Sequence, residues 1–310
     1  MMDTLTVIIP VFNRASVVER TLASVFSQRR LPDRLIVVDN GSTDDSREVV
    51  ARWFASHSEE AERMGAVIVD QPSPGACAAR NRGLALVDTD WVMFFDSDDE
   101  MLPGHLERAM RVASENPEAE IVGWDVDQQL PDGSRRTGRF LTEDMLTANL
   151  IHAVMATQRY MARTALFRKV GGWNPEVMKW NDWELGVRLL LENPVAVKAT
   201  GENTVVMNFT RDSITGTTVT PGSCVRSIDT VEADLRRAGR TDLLPWIAYR
   251  RAILAARCQE TGFYDEADKI LTDTMRGVSL RMRLAIRLTF LHARFIGRGA
   301  HYTFRLLAPV

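Results

Sequence analysis

Cysteine is scarce in this sequence: Cys77, Cys224 and Cys258 are odd in number and far apart, which fits neither a disulfide framework nor paired metal-ligand spacing. No run of about 18 apolar residues is present to span a bilayer. The opening MMDTLTVIIPVFNR lacks a basic n-region, and Pro10 and Asn13 interrupt its apolar run, so no signal peptide is expected. Internal repeats and low-complexity segments are missing too. Charge of one sign is not in excess: 38 basic and 41 acidic residues leave a net charge of −3, which gives the chain no reason to seek nucleic acid. These absences together predict a protein of the reducing cytoplasm.

The chain has 310 residues, 45% apolar and 25% charged, ample for one large domain or two ordinary ones. The charge is unevenly spread. From Arg276 to Val310 there are seven arginines, no lysine and no acidic residue.

The first half alternates β-branched runs with helical patterns, the signature of parallel strands joined by crossover helices. Strands are expected at Leu5–Pro10, Arg34–Asp39, Ala66–Asp70, Trp91–Phe95 and Ile121–Val126, with helices between them and one opened by Pro103. Pro131-Asp-Gly133 marks a turn, and a hairpin is expected between Gln128 and Asp144. A helix near Asn181, a strand near Thr204 and an almost wholly helical pattern after Gly222 follow. Gly239-Arg-Thr-Asp is read as a soft boundary, giving domains of 1–240 and 241–310.

In open sheets of this kind ligands bind beyond the carboxyl ends of the strands. Pro10-Val-Phe-Asn-Arg14 follows the first strand, Asp39-Asn-Gly-Ser-Thr-Asp44 ends the second, and Asp96-Ser-Asp-Asp-Glu100 follows the fourth. Turn and cap chemistry alone accounts for Asn40, Gly41 and Ser42. The acidic run is different, because it ends a buried strand. Clustered Asp oxygens there suit a hard divalent cation that shares its remaining positions with substrate phosphates.

Five ordered motifs, VIIPVFNR, IVVDNGSTDDS, GACAARNRGL, FFDSDD and GGWNPEVMKWNDWELGVRLL, resemble the inverting family 2 glycosyltransferases of GT-A fold. The resemblance runs from about Leu5 to Thr217. It departs at Asn40, where the family commonly has Asp, and at Asn181, where it often has Glu. It implies an α/β/α three-layer sandwich with a mostly parallel sheet, a nucleotide-binding half to about residue 125, an acceptor half to about 240, and a C-terminal helical extension. By resemblance, Asp39 accepts from the base N–H of a uracil or thymine nucleotide, with Pro10, Phe12 and Arg14 lining the pocket. Arg80 approaches the nucleotide or diphosphate, Asp96 contacts ribose or metal, and Asp98 binds the Mg2+ or Mn2+ that bridges the diphosphate. The plainer readings are that Arg80 and Asn81 lie on an exposed helical face, and that Asp99 and Glu100 are acidic residues favoured ahead of the helix at Pro103.

Inversion needs one base, which takes the acceptor hydroxyl's proton. In Asn181-Asp-Trp-Glu184 the outer residues look like a capping pair, which leaves Asp182 as the catalytic candidate. Trp183 either lines a sugar or belongs to the core.

The expected activity is transfer of a sugar from a nucleoside diphosphate donor, a UDP-sugar by preference, to a glycan or lipid-linked acceptor. The setting is surface polysaccharide or glycolipid synthesis. A nucleotidyltransferase would want a glycine-rich basic loop after the first strand, which Pro10 to Ala15 is not. A non-catalytic sugar-nucleotide-binding or scaffold protein would not need Asp39, Asp98 and Asp182 together. In the basic tail, Leu280, Leu284, Leu288, Leu291 and Phe295 share one helical stripe beside Arg283, Arg287, Arg294 and Arg298. This segment, within 276–310, either makes peripheral contact with the inner face of the cell membrane or packs on the body of the protein, as Met282, Ile286 and Phe290 would favour.

Overall fold

The computed structural model describes residues 3–209 and 219–308; the last part of the resembling span, 210–217, lies outside them. The strands are β1 (Leu5–Val11), β2 (Arg34–Asp39), β3 (Val67–Asp70), β4 (Trp91–Phe94), β5 (Glu100–Met101), β6 (Ile121–Gly123), β7 (Val126–Gln129), β8 (Arg135–Gly138), β9 (Tyr160–Arg163), β10 (Ala196–Lys198) and β11 (Val205–Asn208). The helices of the first half are α1 (Val18–Phe26), α2 (Ser46–Ser56), α3 (Ser58–Arg63), α4 (Ala76–Leu84) and α5 (His105–Glu115). Then come α6 (Met145–His152), α7 (Thr164–Lys169), α8 (Asn181–Leu191), α9 (Pro221–Arg237), α10 (Leu244–Glu260), α11 (Tyr264–Met275), α12 (Leu280–Phe295) and α13 (Ala300–Leu307).

Two compact units divide the chain. The first comprises Met1–Glu143, Val154–Met178 and Glu192–Arg211, and the second Asp144–Ala153, Lys179–Leu191 and Asp212–Val310. Among the described residues the first holds every strand. Its main sheet has the order β10-β6-β9-β4-β1-β2-β3, parallel throughout except for β9. The continuous apolar run of β1 follows from this, since a central parallel strand is covered on both faces; Leu5, Val7, Ile8 and Ile9 are all fully buried. Register sets Val11 beside Asp39 and Ile8 beside Phe94, so β1, β2 and β4 end near one level. The strand order reverses at β1, with β2 on one side and β4 on the other.

The single strand expected over Ile121–Val126 is in fact two. Gly123 ends β6 with its Cα against the Phe140 ring, where a Cβ would stand 2.2 Å from that ring. The indole Nε1 of Trp124 donates to the Gln158 carbonyl at 2.8 Å, and the chain then enters a second sheet of order β5-β11-β7-β8. The expected hairpin is β7–β8, turning at Gly133 with φ of +81°, and the strand near Thr204 is β11.

The second unit is helical. Within it α8 packs on α6 and α9, and α10 on α6, α9, α11 and α12. Trp246, Tyr249 and Phe304 form an aromatic cluster with ring centroids 5.5 to 5.8 Å apart. Gly239-Arg-Thr-Asp, the soft boundary of the sequence, lies between α9 and α10, both in this unit.

In the first unit α4 lies so close to the sheet that a Cβ at Gly83 would stand 2.6 Å from Ile8 Cγ2 and 3.3 Å from Val38 Cγ2. Those partners are buried strand side chains with no room to turn away. Gly83→Ala should therefore destabilise the protein by about 1 to 3 kcal/mol through overpacking, despite the better helix propensity of Ala. A urea midpoint equal to or above wild type would show that α4 can shift.

Candidate active site

The two loops at the carboxyl ends of β1 and β2 are clasped together. Asn13, at φ of +52°, accepts at Oδ1 from the Thr43 amide at 2.8 Å, and its own amide donates to Ser42 Oγ at 3.1 Å. The amides of Arg14 and Ala15 donate to Ser46 Oγ and Asp44 Oδ2 at 2.7 and 3.1 Å. Phe12 projects from this clasp with 53% of its surface exposed, and Pro10 sits one residue inside it.

Asp39 is buried at the end of β2. Its Oδ2 accepts from the Ser42 amide at 3.2 Å, whereas Oδ1 is buried with no hydrogen-bond partner among the described residues. Asn40 has a structural task. Its amide nitrogen donates to the carbonyls of Gln71 and Ser73 at 2.9 and 2.8 Å, and its oxygen accepts from the Gly75 amide at 2.9 Å. A carboxylate could not make the first two bonds, which is a physical reason for Asn at this position.

Arg80 is buried in α4, not spread on an exposed face. Its Nη2 meets Asp96 Oδ1 at 2.8 Å and its guanidinium stacks over Trp173 at 4.4 Å. Nε and Nη1 are buried without partners among the described residues. Asn81 holds that tryptophan by a reciprocal pair of bonds to its backbone, 2.7 and 2.8 Å. The second oxygen of Asp96 accepts from Gln158 Nε2.

Asp98 faces Arg14, with Nε 3.6 Å from Oδ2. Burial, and then the Asp96 charge, hold its carboxyl above the usual range against the pull of Arg14. Asp99 is more deeply buried, and burial with Asp96 and Asp98 pushes it well above that range. Neither Asp99 nor Glu100 waits ahead of a helix. Asp99 Oδ1 accepts from the Asn208 amide at 2.7 Å, and Glu100 lies in β5 with Arg20 Nε 3.1 Å from its Oε1.

Among the described residues no three His, Cys, Asp or Glu side chains form a metal cage. The donor set nevertheless fits Mg2+ or Mn2+. Asp98 offers hard oxygen with the Asp96 carboxylate close enough to act on it, and Mg2+ is ordinarily held by one or two carboxylates plus substrate phosphates.

Asp182 belongs to the helical unit, in the first turn of α8, half-buried, with the Trp183 amide donating to its Oδ1 at 2.8 Å. The expected capping pair does not form. Glu184 is fully buried, and its two oxygens accept from Arg188 Nε and Nη2 at 2.7 and 2.8 Å, one turn onward. Trp183 is core, its indole donating to the Asn149 carbonyl at 3.0 Å. Arg250 stacks on Trp183 at 4.9 Å; burial pushes its pKa down to about 10, with the charges of Tyr249 and Asp182 acting the other way.

The structure thus sets Pro10, Phe12, Arg14, Asp39, Arg80, Asp96 and Asp98 along the carboxyl edge of the main sheet. The profile described as Glycosyl transferase family 2 matches residues 6–171, more than half of the chain. The chain belongs to this family. A succinoglycan biosynthesis protein of Rhizobium meliloti is 39% identical over 108 residues, 34% of this chain and 32% of that protein. A PGL/p-HBAD biosynthesis glycosyltransferase of Mycobacterium bovis is 29% identical over 194 residues, 62% of this chain and 71% of that protein. The match thus spans about a third of the succinoglycan protein's length, and 31% of an E. coli glycosyltransferase that is 32% identical over 112 residues. Among solved structures, S. aureus TarS in complex with UDP-GlcNAc superposes with a TM-score of 0.68 at 16% identity, covering 98% of this chain and 90% of that one. A Pyrobaculum calidifontis mannosyltransferase in complex with GDP-Man and Mn2+ gives 0.55 at 16% identity, over 99% and 84%. The GT-A architecture with a helical C-terminal extension is therefore borne out.

Gln158 and Trp173, which position Asp96 and Arg80, were not singled out as site residues in the sequence. Trp173 lies inside the GGWNPEV motif, but Gln158 carries no local signal, since its contact spans 62 residues.

The raised Asp98 carboxyl has a consequence for stability. Between its unfolded and folded pKa values the native state binds more protons than the unfolded chain, so stability falls as pH rises through that window, and the penalty is complete above it. Asp98→Asn should then melt higher than wild type at pH 7, with the gap closing as pH falls below the ordinary carboxylate range. A lower Tm at pH 7 would mean that the Arg14 contact outweighs burial and repulsion.

Proposed function

We propose that this glycosyltransferase takes its sugar from a nucleoside diphosphate donor, a UDP-sugar, and transfers it with inversion to an acceptor hydroxyl on a glycan or lipid-linked glycan. The observation that carries the reading is a complementary pair of unfilled hydrogen-bonding groups on one sheet edge. Among the described residues Asp39 Oδ1 is a buried acceptor without a donor, and Arg80 Nε and Nη1 are buried donors without an acceptor. Leaving such groups unpaired costs about 1 to 3 kcal/mol each, and a uracil N–H with a diphosphate would satisfy both. Phe12, with Pro10 and Arg14 beside it, offers an apolar face to the base.

Asp98 would hold the divalent cation, with Asp96 kept in place by Arg80 and Gln158. When bound, the cation neutralises the diphosphate and makes it a better leaving group. Asp182 accepts the proton of the acceptor hydroxyl as the oxygen attacks the anomeric carbon from the face opposite the diphosphate. The new glycosidic bond forms as the bond to the diphosphate breaks, so the anomeric configuration inverts. No second carboxylic acid is needed for this leaving group. The setting we infer is cytoplasmic synthesis of surface polysaccharide or glycolipid, in keeping with the names of the succinoglycan and PGL/p-HBAD relatives.

Asp39→Ala should weaken UDP binding by about 1.5 to 3 kcal/mol, the worth of a hydrogen bond to a charged group. Calorimetry giving unchanged affinity would move the base pocket elsewhere. Asp98→Ala, or excess EDTA on the wild-type enzyme, should abolish transfer, and full activity in EDTA would remove the metal from the scheme. For Asp182→Asn the expectation is near-normal donor affinity with turnover lowered roughly 10^2- to 10^4-fold. Undiminished turnover, or a product of retained configuration by NMR, contradicts the assignment of Asp182 as the base.

A further inference from the structure

The C-terminal helices present a face that the rest of their unit leaves uncovered. On α12, Met282, Ala285, Ile286 and Thr289 are buried, and the helix packs on α10, α11 and α13 with that side accounted for. Along its outer side Leu280, Leu284, Leu288, Leu291 and Phe295 are all exposed, to 83% at Leu280 and 76% at Phe295. The stripe runs the length of a 16-residue helix, about 24 Å at 1.5 Å per residue. Tyr302 and Leu306 on α13 are exposed as well. Core packing therefore explains one side of α12 and leaves the leucine stripe in water, where a large contiguous apolar patch marks an interaction surface.

We infer that this face docks on an anionic lipid membrane, with α12 lying along the interface and its inner side still packed on the protein. The charge chooses the occupant. None of Arg283, Arg287, Arg294 and Arg298 has an ion pair among the described residues, whereas Arg236, Arg240 and Arg251 of the same unit are paired with Asp or Glu; Arg281 and Arg305 are engaged on the protein, by the Leu307 carbonyl and the Trp246 ring. No acidic residue occurs from Arg276 to Val310. A second copy meeting the same stripe would bring arginine against arginine, while lipid phosphates would accept from them and acyl chains would cover the leucines. Long basic side chains keep their heads at the phosphate level while their stems lie along apolar surface. Among the described residues no helix is long and apolar enough to cross a membrane, so the contact is peripheral. The inference does not depend on the donor or the chemistry assigned above.

Vesicle co-sedimentation of the full chain tests it, with phosphatidylcholine vesicles prepared with and without phosphatidylglycerol. Binding is expected at low salt to the anionic vesicles only, and it should fall as salt is raised. The double substitution Arg283→Gln, Arg287→Gln should lower the partition coefficient about 30-fold, from about 1 kcal/mol per basic residue. Leu288→Glu should abolish binding, and because these positions are exposed all variants should keep the wild-type Tm. Absence of binding to anionic vesicles at low salt overturns the inference. So does equal binding to neutral vesicles, or a concentration-dependent dimer in sedimentation velocity that Leu288→Glu dissociates while vesicles have no effect.

Discussion

Four carboxylates at the end of one buried strand cannot be accommodated without partners, and the way they are partnered organises the sheet unit. Asp96 is held by Arg80 from α4 and by Gln158, Asp98 faces Arg14 from the β1–α1 loop, Glu100 meets Arg20 from α1, and Asp99 accepts from the backbone of β11. Each acid thus ties a different element to the end of β4. Burial first, and the neighbouring acids second, still hold Asp98 and Asp99 above the usual carboxylate range.

The same edge separates polar groups that build from polar groups that wait. Asn40 and Asn81 use their amides to join one loop to the next, with donors and acceptors both satisfied. Asp39 and Arg80 are equally buried but keep atoms unpaired among the described residues. Buried polar groups in native proteins are almost always bonded; other buried atoms, Trp53 Nε1 and His105 Nε2 among them, also lack a partner among the described residues, but Asp39 Oδ1 and Arg80 Nε and Nη1 lie at the carboxyl edge of the main sheet. Trp173 contributes by stacking on the guanidinium, which fixes its plane without consuming its N–H groups.

Much of this was legible in the chain order of residues. Parallel strands covered on both faces need unbroken apolar runs, so β1, β2 and β4 can be read directly, and the polar groups that follow each run must collect at one sheet edge because parallel strands end on the same side. The turn at Gly133 carries an equally local signal. Where a partner lies far along the chain, no such signal exists. β9 pairs antiparallel between β4 and β6 through four unremarkable residues, and the break between β6 and β7 depends on Phe140 meeting Gly123.

Side-chain roles divide in the same way. Sequence alone determined which residue types stand at the strand ends, the seven arginines of the tail and the helical spacing of its leucines. Tertiary structure decided that Arg80 is buried, that Glu184 pairs with Arg188 in preference to capping its helix, and that of the two apolar stripes on α12 one is core and the other exposed. Periodicity places a side chain on a face, but burial and pairing depend on what another segment brings to that face, and those contacts are set by the packing of residues distant in the chain.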